Sequence, residues 1–325
     1  MNLDVSELDA HIRSHVGEDL FSGAVLVAIK GEPVFKEAYG LACKRHCVKN
    51  RVDTKFNLGS INKFFTRLAV AQLQEKGDIE TDDHISKYIP DYPSHVADKV
   101  TVRHLIDHTS GLGHYWNEKF NASIGNLRTV DDFIALFRDD PLAFEPGERK
   151  QYSDAGYVLL GKIIENVSGT DYYQYMRENV FGPAGMKDTD HYMLDDPIPN
   201  LATGYTLLYP GAAEGSPRKE NWYIIGTRGS PAGGGYSTLD DMLRFDNALQ
   251  GGSLSGSDIL ESERQTGPRI LTRAGGASGI AALYEQYLDH ETTLIVLSNY
   301  DPYDIQAMKV VSIHPKIKEM ILGRN

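Results

Sequence analysis

Apolar residues gather at the two ends of the chain in short runs bounded by turn residues. Ala24–Ile29 is continuously apolar, and Val34–Tyr39 follows it across Lys30-Gly31. Ile280–Tyr287 and Thr292–Ser298 repeat the arrangement near the other end. Runs of this length and composition predict strands. Between about 82 and 206 the apolar spacing changes to a helical period, and Val130–Phe137, Tyr157–Val167 and Tyr172–Val180 predict helices. The expected fold is therefore α/β of the α+β type. Strands from both ends join in one central antiparallel sheet flanked by helices, and the middle of the chain is inserted as an all-helical lobe. The boundaries expected are 1–81 with 207–325 for the discontinuous sheet domain and 82–206 for the helical one, with a site at their interface. Asp304–Leu322 predicts a closing helix that Pro315 should break or kink. No repeat of fixed period and no low-complexity tract occurs.

One apolar helical stretch carries chemistry at its start. Ser60 stands before Ile61, Phe64, Phe65, Leu68, Ala69 and Leu73, which supply a buried face, and Lys63 follows three residues later. On a helix, positions i and i+3 share a face, so the lysine amine reaches the serine hydroxyl. A serine hydroxyl is a weak nucleophile until a base takes its proton. At a helix N-terminus, unpaired N–H groups and the positive end of the dipole favour an oxyanion beside it. Ser60 and Lys63 are thus a candidate serine–lysine pair; a plain N-cap with a solvated lysine is the competing explanation. Ser216-Pro217-Arg218-Lys219 has the same spacing but lies in a Pro/Gly/Ser-rich loop.

Two further segments bear on a proton relay and an oxyanion. Tyr152-Ser153-Asp154 precedes an apolar helix, and an ammonium near a phenol favours the phenolate, which suits Tyr152 to general base work. Asp154 also suits the N-cap of that helix. Tyr115-Trp116-Asn117 is a rival match, expected in a loop with no helix after it. Arg273-Ala274-Gly275-Gly276-Ala277-Ser278-Gly279-Ile280 predicts a glycine-rich edge strand open to close approach by a substrate backbone. A free N–H there would face that of Ser60 and complete a two-donor oxyanion hole.

The three segments, in this order, resemble the penicillin-recognising serine hydrolases with their S-x-x-K, S-D-N and K-T-G set. The resemblance is to the branch with class C β-lactamases, family VIII carboxylesterases and D-aminopeptidases, in which the second motif is Y-x-N. It covers nearly the whole chain. Ser22–Gly31 looks like the family's first strands, Thr101–Leu112 like its helix-to-loop signature and Pro231–Met242 like a further one. The spacing also suits Tyr152, whereas Tyr115 comes too early. The resemblance implies a β-lactamase/transpeptidase-like fold, with Ser60 as nucleophile, Lys63 as its partner, Tyr152 as general base and the N–H groups of Ser60 and Gly276 as oxyanion donors. It places Asp154, Arg273 and Gly275 at the substrate.

Three departures shape the expected substrate. Asp154 replaces an asparagine whose amide helps hold the lysine and a substrate carbonyl. A carboxylate does not donate to a carbonyl, so amide recognition weakens, and it favours the charged form of Lys63. Arg273 stands where relatives carry lysine, histidine or tryptophan, and its guanidinium suits a substrate carboxylate or a Tyr152 phenolate. Between Leu249 and Arg273 the chain is short for the family, and Gly251 through Pro268 predicts mostly loop.

Composition narrows the field. A hydrophobic content of 41% suffices for a buried core, and no apolar run approaches the ~20 residues of a membrane helix. The polar first 21 residues do not resemble a signal peptide, which points to the cytoplasm. A net charge of −12 gives no reason to propose nucleic acid or membrane partners. Cys43 and Cys47 flank His46 but offer too few ligands for a metal site. His104 and His108 lack the glutamate of a zinc hydrolase, Gly156–Ile163 lacks the Ser/Thr of a phosphate loop, and no G-x-S-x-G occurs. No metal and no cofactor is expected, and nothing sets an oligomeric state. The leading expectation is hydrolysis of small carboxylic esters through an acyl-enzyme on Ser60. Alternatives are an amide-cleaving relative (D-aminopeptidase, peptidoglycan peptidase or β-lactamase) and a non-catalytic binding protein on the same scaffold.

Overall fold

The computed structural model describes residues 3–213, 215–258, 260, 269–302 and 311–323. Its principal elements, in chain order, are α1 (Val5–Gly17), β1 (Gly23–Ile29), β2 (Glu32–Tyr39), α2 (Asn62–Glu75), α3 (Asp154–Ser168), α4 (Tyr172–Met176), α5 (Leu239–Gln250), β3 (Ile270–Ala277), β4 (Ile280–Tyr287), β5 (Thr292–Ser298) and α6 (His314–Leu322). The five strands form one antiparallel sheet in the order β2-β1-β5-β4-β3. Strands from the two chain ends therefore pair directly, with Val25 opposite Val296 and Leu26 opposite Ile295. Pro33 is tolerated because β2 is an edge strand, where its missing N–H costs no ladder bond.

The period of two along the strands makes two apolar faces. Val25, Val27, Leu283, Leu294 and Val296 pack with Leu8 and Ile12 of α1 and Ile317 and Ile321 of α6. Ala24, Leu26, Tyr284, Ile295 and Leu297 face the other way, and that core runs on through α2 into the helices of the middle segment. α2 is consequently buried on nearly every side from Asn62 to Leu73. Thr66 ties it to its surroundings, accepting or donating at Tyr172 Oη (2.8 Å) and donating to the Pro231 carbonyl (2.7 Å). Among the described residues, no helix is long and apolar enough to cross a membrane.

Several local expectations change. α6 begins at His314, so Pro315 sits in its first turn, where the missing N–H has no intrahelical partner to lose, and opens the helix instead of breaking it. The earlier part of that expected helix, residues 304–310, lies outside the described residues. Gly251–Gly252 turns as expected, but a short helical turn begins at Ser257-Asp258; residues 259 and 261–268 lie outside the described residues. Ser153, not Asp154, caps α3, its hydroxyl accepting from Gly156 N at 2.9 Å. Asn117 caps a helix over Glu118–Ser123, so the Tyr115 segment does lead into one.

Candidate active site

Ser60 lies in a single 3-10 turn, Gly59–Ile61, that leads into α2. The turn is held by its neighbours. Gly59 has φ +50°, and its N–H donates to Asn57 Oδ1 at 2.9 Å. Asn62, at the start of α2, accepts from Gly235 N at 2.8 Å and lies 3.2 Å from His191 Nε2. β3 presses against the same turn. A Cβ on Gly275 would sit 2.0 Å from the Leu58 carbonyl oxygen and 2.8 Å from Ser60 N, so only glycine permits that approach. A Cβ on Gly59 would meet Gly276 N at 3.0 Å, which places the Gly276 amide beside the Ser60 turn.

Lys63 reaches back along the helix as the spacing requires. Its Nζ donates to Ser60 Oγ (3.3 Å), Asp154 Oδ1 (2.7 Å) and the Ala232 carbonyl (2.6 Å). An ammonium has three donors and no acceptor, so these three bonds occupy it fully. In this arrangement Lys63 offers a proton toward Ser60 Oγ, and another group has to accept the serine proton.

Asp154, in the first turn of α3, is the hub beneath the serine. Its second oxygen accepts from Trp116 Nε1 (2.9 Å) and is paired with His114 Nδ1 (2.7 Å). Burial works to raise its pKa, but the His114 hydrogen bond, the Lys63 charge and hydrogen bond and the Trp116 N–H outweigh it and hold the carboxyl well below the usual range. The His114 pKa is raised by the same hydrogen bond. Both Asp154 oxygens are thus committed within the protein.

Tyr152 stands at the mouth of the site, 44% exposed. Its ring stacks on His108 at 4.6 Å between centroids, and Lys63 Nζ lies 4.7 Å from its centre. The Tyr152 hydroxyl has no hydrogen-bond partner among the described residues. His108 accepts from Ser153 N at 3.1 Å, and burial pushes its pKa down to about 4. His104 closes a capping box with Thr101.

In front of Ser60 lies a cavity of about 830 Å³ whose lining includes Ser60, Tyr152, Asp154 and Gly276. Gly275 contributes its backbone behind the serine. Arg273 does not line the cavity: its guanidinium stacks 3.6 Å over Phe64 and donates to Gln286 Oε1 at 3.5 Å. Sequence reasoning passed over His114, Trp116 and Arg228. The density of histidine and aromatic residues over 114–116 was the available signal for the first two. Arg228 left only its place ahead of the glycine-rich Pro231–Gly235 segment.

A family model described as Beta-lactamase matches residues 8–300, so the chain belongs to the Beta-lactamase family, serine β-lactamase-like hydrolases. It is 30% identical to penicillin-binding protein 4* of Bacillus subtilis, over 86% of this chain and 68% of that protein. It is also 30% identical to esterase EstB of Burkholderia gladioli, over 75% of this chain and 70% of that protein. The putative penicillin-binding protein PbpX of Bacillus subtilis is 33% identical over 75% of this chain, which spans only 58% of its length. The fold matches the crystal structure of a penicillin-binding protein from Bacillus halodurans with a TM-score of 0.79 and 28% identity, over 91% of this chain and 97% of the other. The fold is thus β-lactamase/transpeptidase-like.

Proposed function

We propose that this hydrolase cleaves small carboxylic esters through an acyl-enzyme on Ser60, and that the Lys63–Ser60 contact at 3.3 Å on the cavity floor carries the reading. Ser60 Oγ attacks the ester carbonyl carbon and Tyr152 accepts its proton. Lys63 Nζ lies 4.7 Å from the centre of the Tyr152 ring, which keeps the two groups in one cluster with Ser60. The N–H groups of Ser60 and Gly276 hold the oxyanion. As the C–O bond breaks, Tyr152 returns the proton to the departing alkoxide, which leaves as the alcohol. Water then attacks the acyl-enzyme with Tyr152 again as base, and as the bond to Ser60 Oγ breaks Tyr152 returns the proton to the serine and the acid is released.

Esters are favoured over amides because Asp154 is an acceptor with both oxygens engaged and offers no donor to a substrate amide carbonyl. The cavity wall suits an apolar chain, with Phe120, Phe133, Leu194, Leu208, Ile224 and Ile225 exposed to it. Likeness to a protein named an esterase agrees with this. A second reading, cleavage of an amide or peptide bond, is favoured by the likeness to penicillin-binding protein 4*.

Turnover of p-nitrophenyl butyrate and of nitrocefin by wild type and S60A separates these readings. Ester turnover lost in S60A supports the proposal, and preferential nitrocefin cleavage supports the second reading. No turnover and no labelling of Ser60 by a fluorophosphonate would leave a non-catalytic scaffold.

A further inference from the structure

The cavity in front of Ser60 has one charged group that acyl transfer does not use. Of the described residues lining it, only Asp154 and Arg228 are charged, and Asp154 is committed to Lys63, His114 and Trp116. Arg228 is partly buried and held in a fixed plane. Nε donates to the His191 carbonyl (2.9 Å), Nη1 donates to the Arg128 carbonyl (3.2 Å), and the guanidinium stacks 3.4 Å above the Tyr173 ring. These partners orient the fork without neutralising it.

The charges of Asp171 and Asp190 act on Arg228 from a distance, and Asp171 accepts from Gln174 N at 3.1 Å. Asp190 pairs with Arg177 at 2.7 Å, and Asp195 pairs with Arg128. Among the described residues no carboxylate lies within 4.0 Å of the Arg228 guanidinium. Its Nη2 has no protein partner among them and is not sealed from solvent. Burial lowers the Arg228 pKa and Arg177 adds to this, while Tyr173, Asp171 and Asp190 act the other way without cancelling the burial. Arg228, on the lining of a cavity with a largely apolar wall, carries a planar fork with a spare amino group, which matches a carboxylate.

We propose that Arg228 forms an anion subsite of the Ser60 cavity and selects esters that carry a carboxylate at the far end of an apolar chain. The proposal rests on the reading of Ser60 as the acyl-transfer nucleophile. The backbone limits the span. Arg228 precedes Ala232, the Lys63 acceptor, by four residues, so their Cα atoms lie within about 14 Å. The segment also doubles back, with Ser230 bridging Gly233 and Gly229 packed against Gly234. A monoester of a medium-length dicarboxylic acid fits this description: the apolar wall holds the methylene chain and the guanidinium holds the free acid.

The test compares p-nitrophenyl monoesters of adipic and suberic acid with neutral p-nitrophenyl hexanoate and octanoate. The measured quantity is the ratio of kcat/KM for anionic to neutral ester in wild type, R228Q and R228K. The ratio should fall at least about tenfold in R228Q, the scale of one charge-assisted hydrogen bond. R228K, which keeps the charge but loses the fork, should fall between. An unchanged ratio, with both esters losing rate alike, would mean that Arg228 only braces the His191 and Arg128 segments, and the subsite would be rejected. Binding decides the matter without catalysis. By calorimetry, S60A should bind 4-phenylbutyrate about tenfold more tightly than 4-phenylbutanamide. S60A/R228Q should lose that preference. If wild type turns over no ester, the hydrolase reading fails, while the calorimetric comparison still supports or rejects the subsite.

Discussion

Lys63 Nζ lies 2.7 Å from Asp154 Oδ1, and both side chains are almost wholly buried, 8% and 10% exposed. The pair joins the start of α2 to the first turn of α3, residues distant in the chain. It also places the lysine charge beneath the serine and beside the Tyr152 ring. Removing one partner of such a pair leaves a buried charge uncompensated. D154A should therefore lower unfolding stability by about 3–5 kcal/mol, read from urea denaturation, whereas D154N, which keeps an acceptor for Lys63, should cost less. Equal losses would mean that the carboxylate's charge, and not its role as a hydrogen-bond acceptor, carries the cost.

Tyr152 is surface-accessible and makes no hydrogen bond among the described residues, so removing its hydroxyl should not disturb the fold. Y152F is expected to lower kcat for p-nitrophenyl butyrate by at least about 100-fold, the lower range for general acid–base catalysis, with thermal stability unchanged. Normal turnover would show the base to be another group.

A methyl group at position 275 has no room. G275A drives a Cβ into the Leu58 carbonyl and the Ser60 amide, forcing β3 away from the serine turn. Loss of an oxyanion donor lowers kcat by about 10²–10³, and overpacking costs about 1–3 kcal/mol. An active, stable G275A would dissociate β3 from the oxyanion hole.

Arg273 and Arg228 differ in where they face. Because Arg273 stacks on Phe64 away from the cavity lining, R273A should change anionic and neutral ester turnover in the same proportion. A selective loss on anionic esters, measured with the same substrate pairs as for Arg228, would return the carboxylate contact to Arg273.

Acid should weaken the fold through two imidazoles. Burial pushes His108 and His191 down to about 4, against an ordinary value of 6.5. Below 6.5 the unfolded chain binds protons that the folded protein refuses, so stability present above 6.5 is lost as the pH falls toward 4. His114 acts oppositely: its hydrogen bond to Asp154 raises its pKa, so its contribution is present below 6.5 and fades as the pH rises through the folded value. The urea midpoint should drop between about pH 7 and pH 5, and H191Q, which cannot take the proton, should show a shallower drop. Parallel profiles would rule out His191 as a source of the acid sensitivity.

Much of the architecture was legible because it depends on neighbours in the chain. Short apolar runs bounded by turn residues such as Lys30-Gly31 mark the strands, and i, i+3 spacing on an apolar helix brings Lys63 to Ser60. Gly276, which the family resemblance implied as an oxyanion donor, has its amide beside the serine turn. Local rules faltered at element ends. Ser153 and Asp154 are both good caps, and the choice rests on which side chain Lys63 and His114 claim. Pro315 read as a breaker because the helix start could not be located from pattern alone.

What the amino-acid order determined, then, was the sheet, the helix that bears Ser60 and the reach of Lys63, all set by backbone periodicity and steric preference over a few residues. Tertiary structure alone decided that Asp154 is shared by Lys63, His114 and Trp116. It also decided that Arg273 turns onto Phe64 while Arg228 opens on the cavity. Those outcomes depend on side chains from distant segments competing for the same hydrogen-bond donors, ring faces and space, and no local pattern encodes which of them meet.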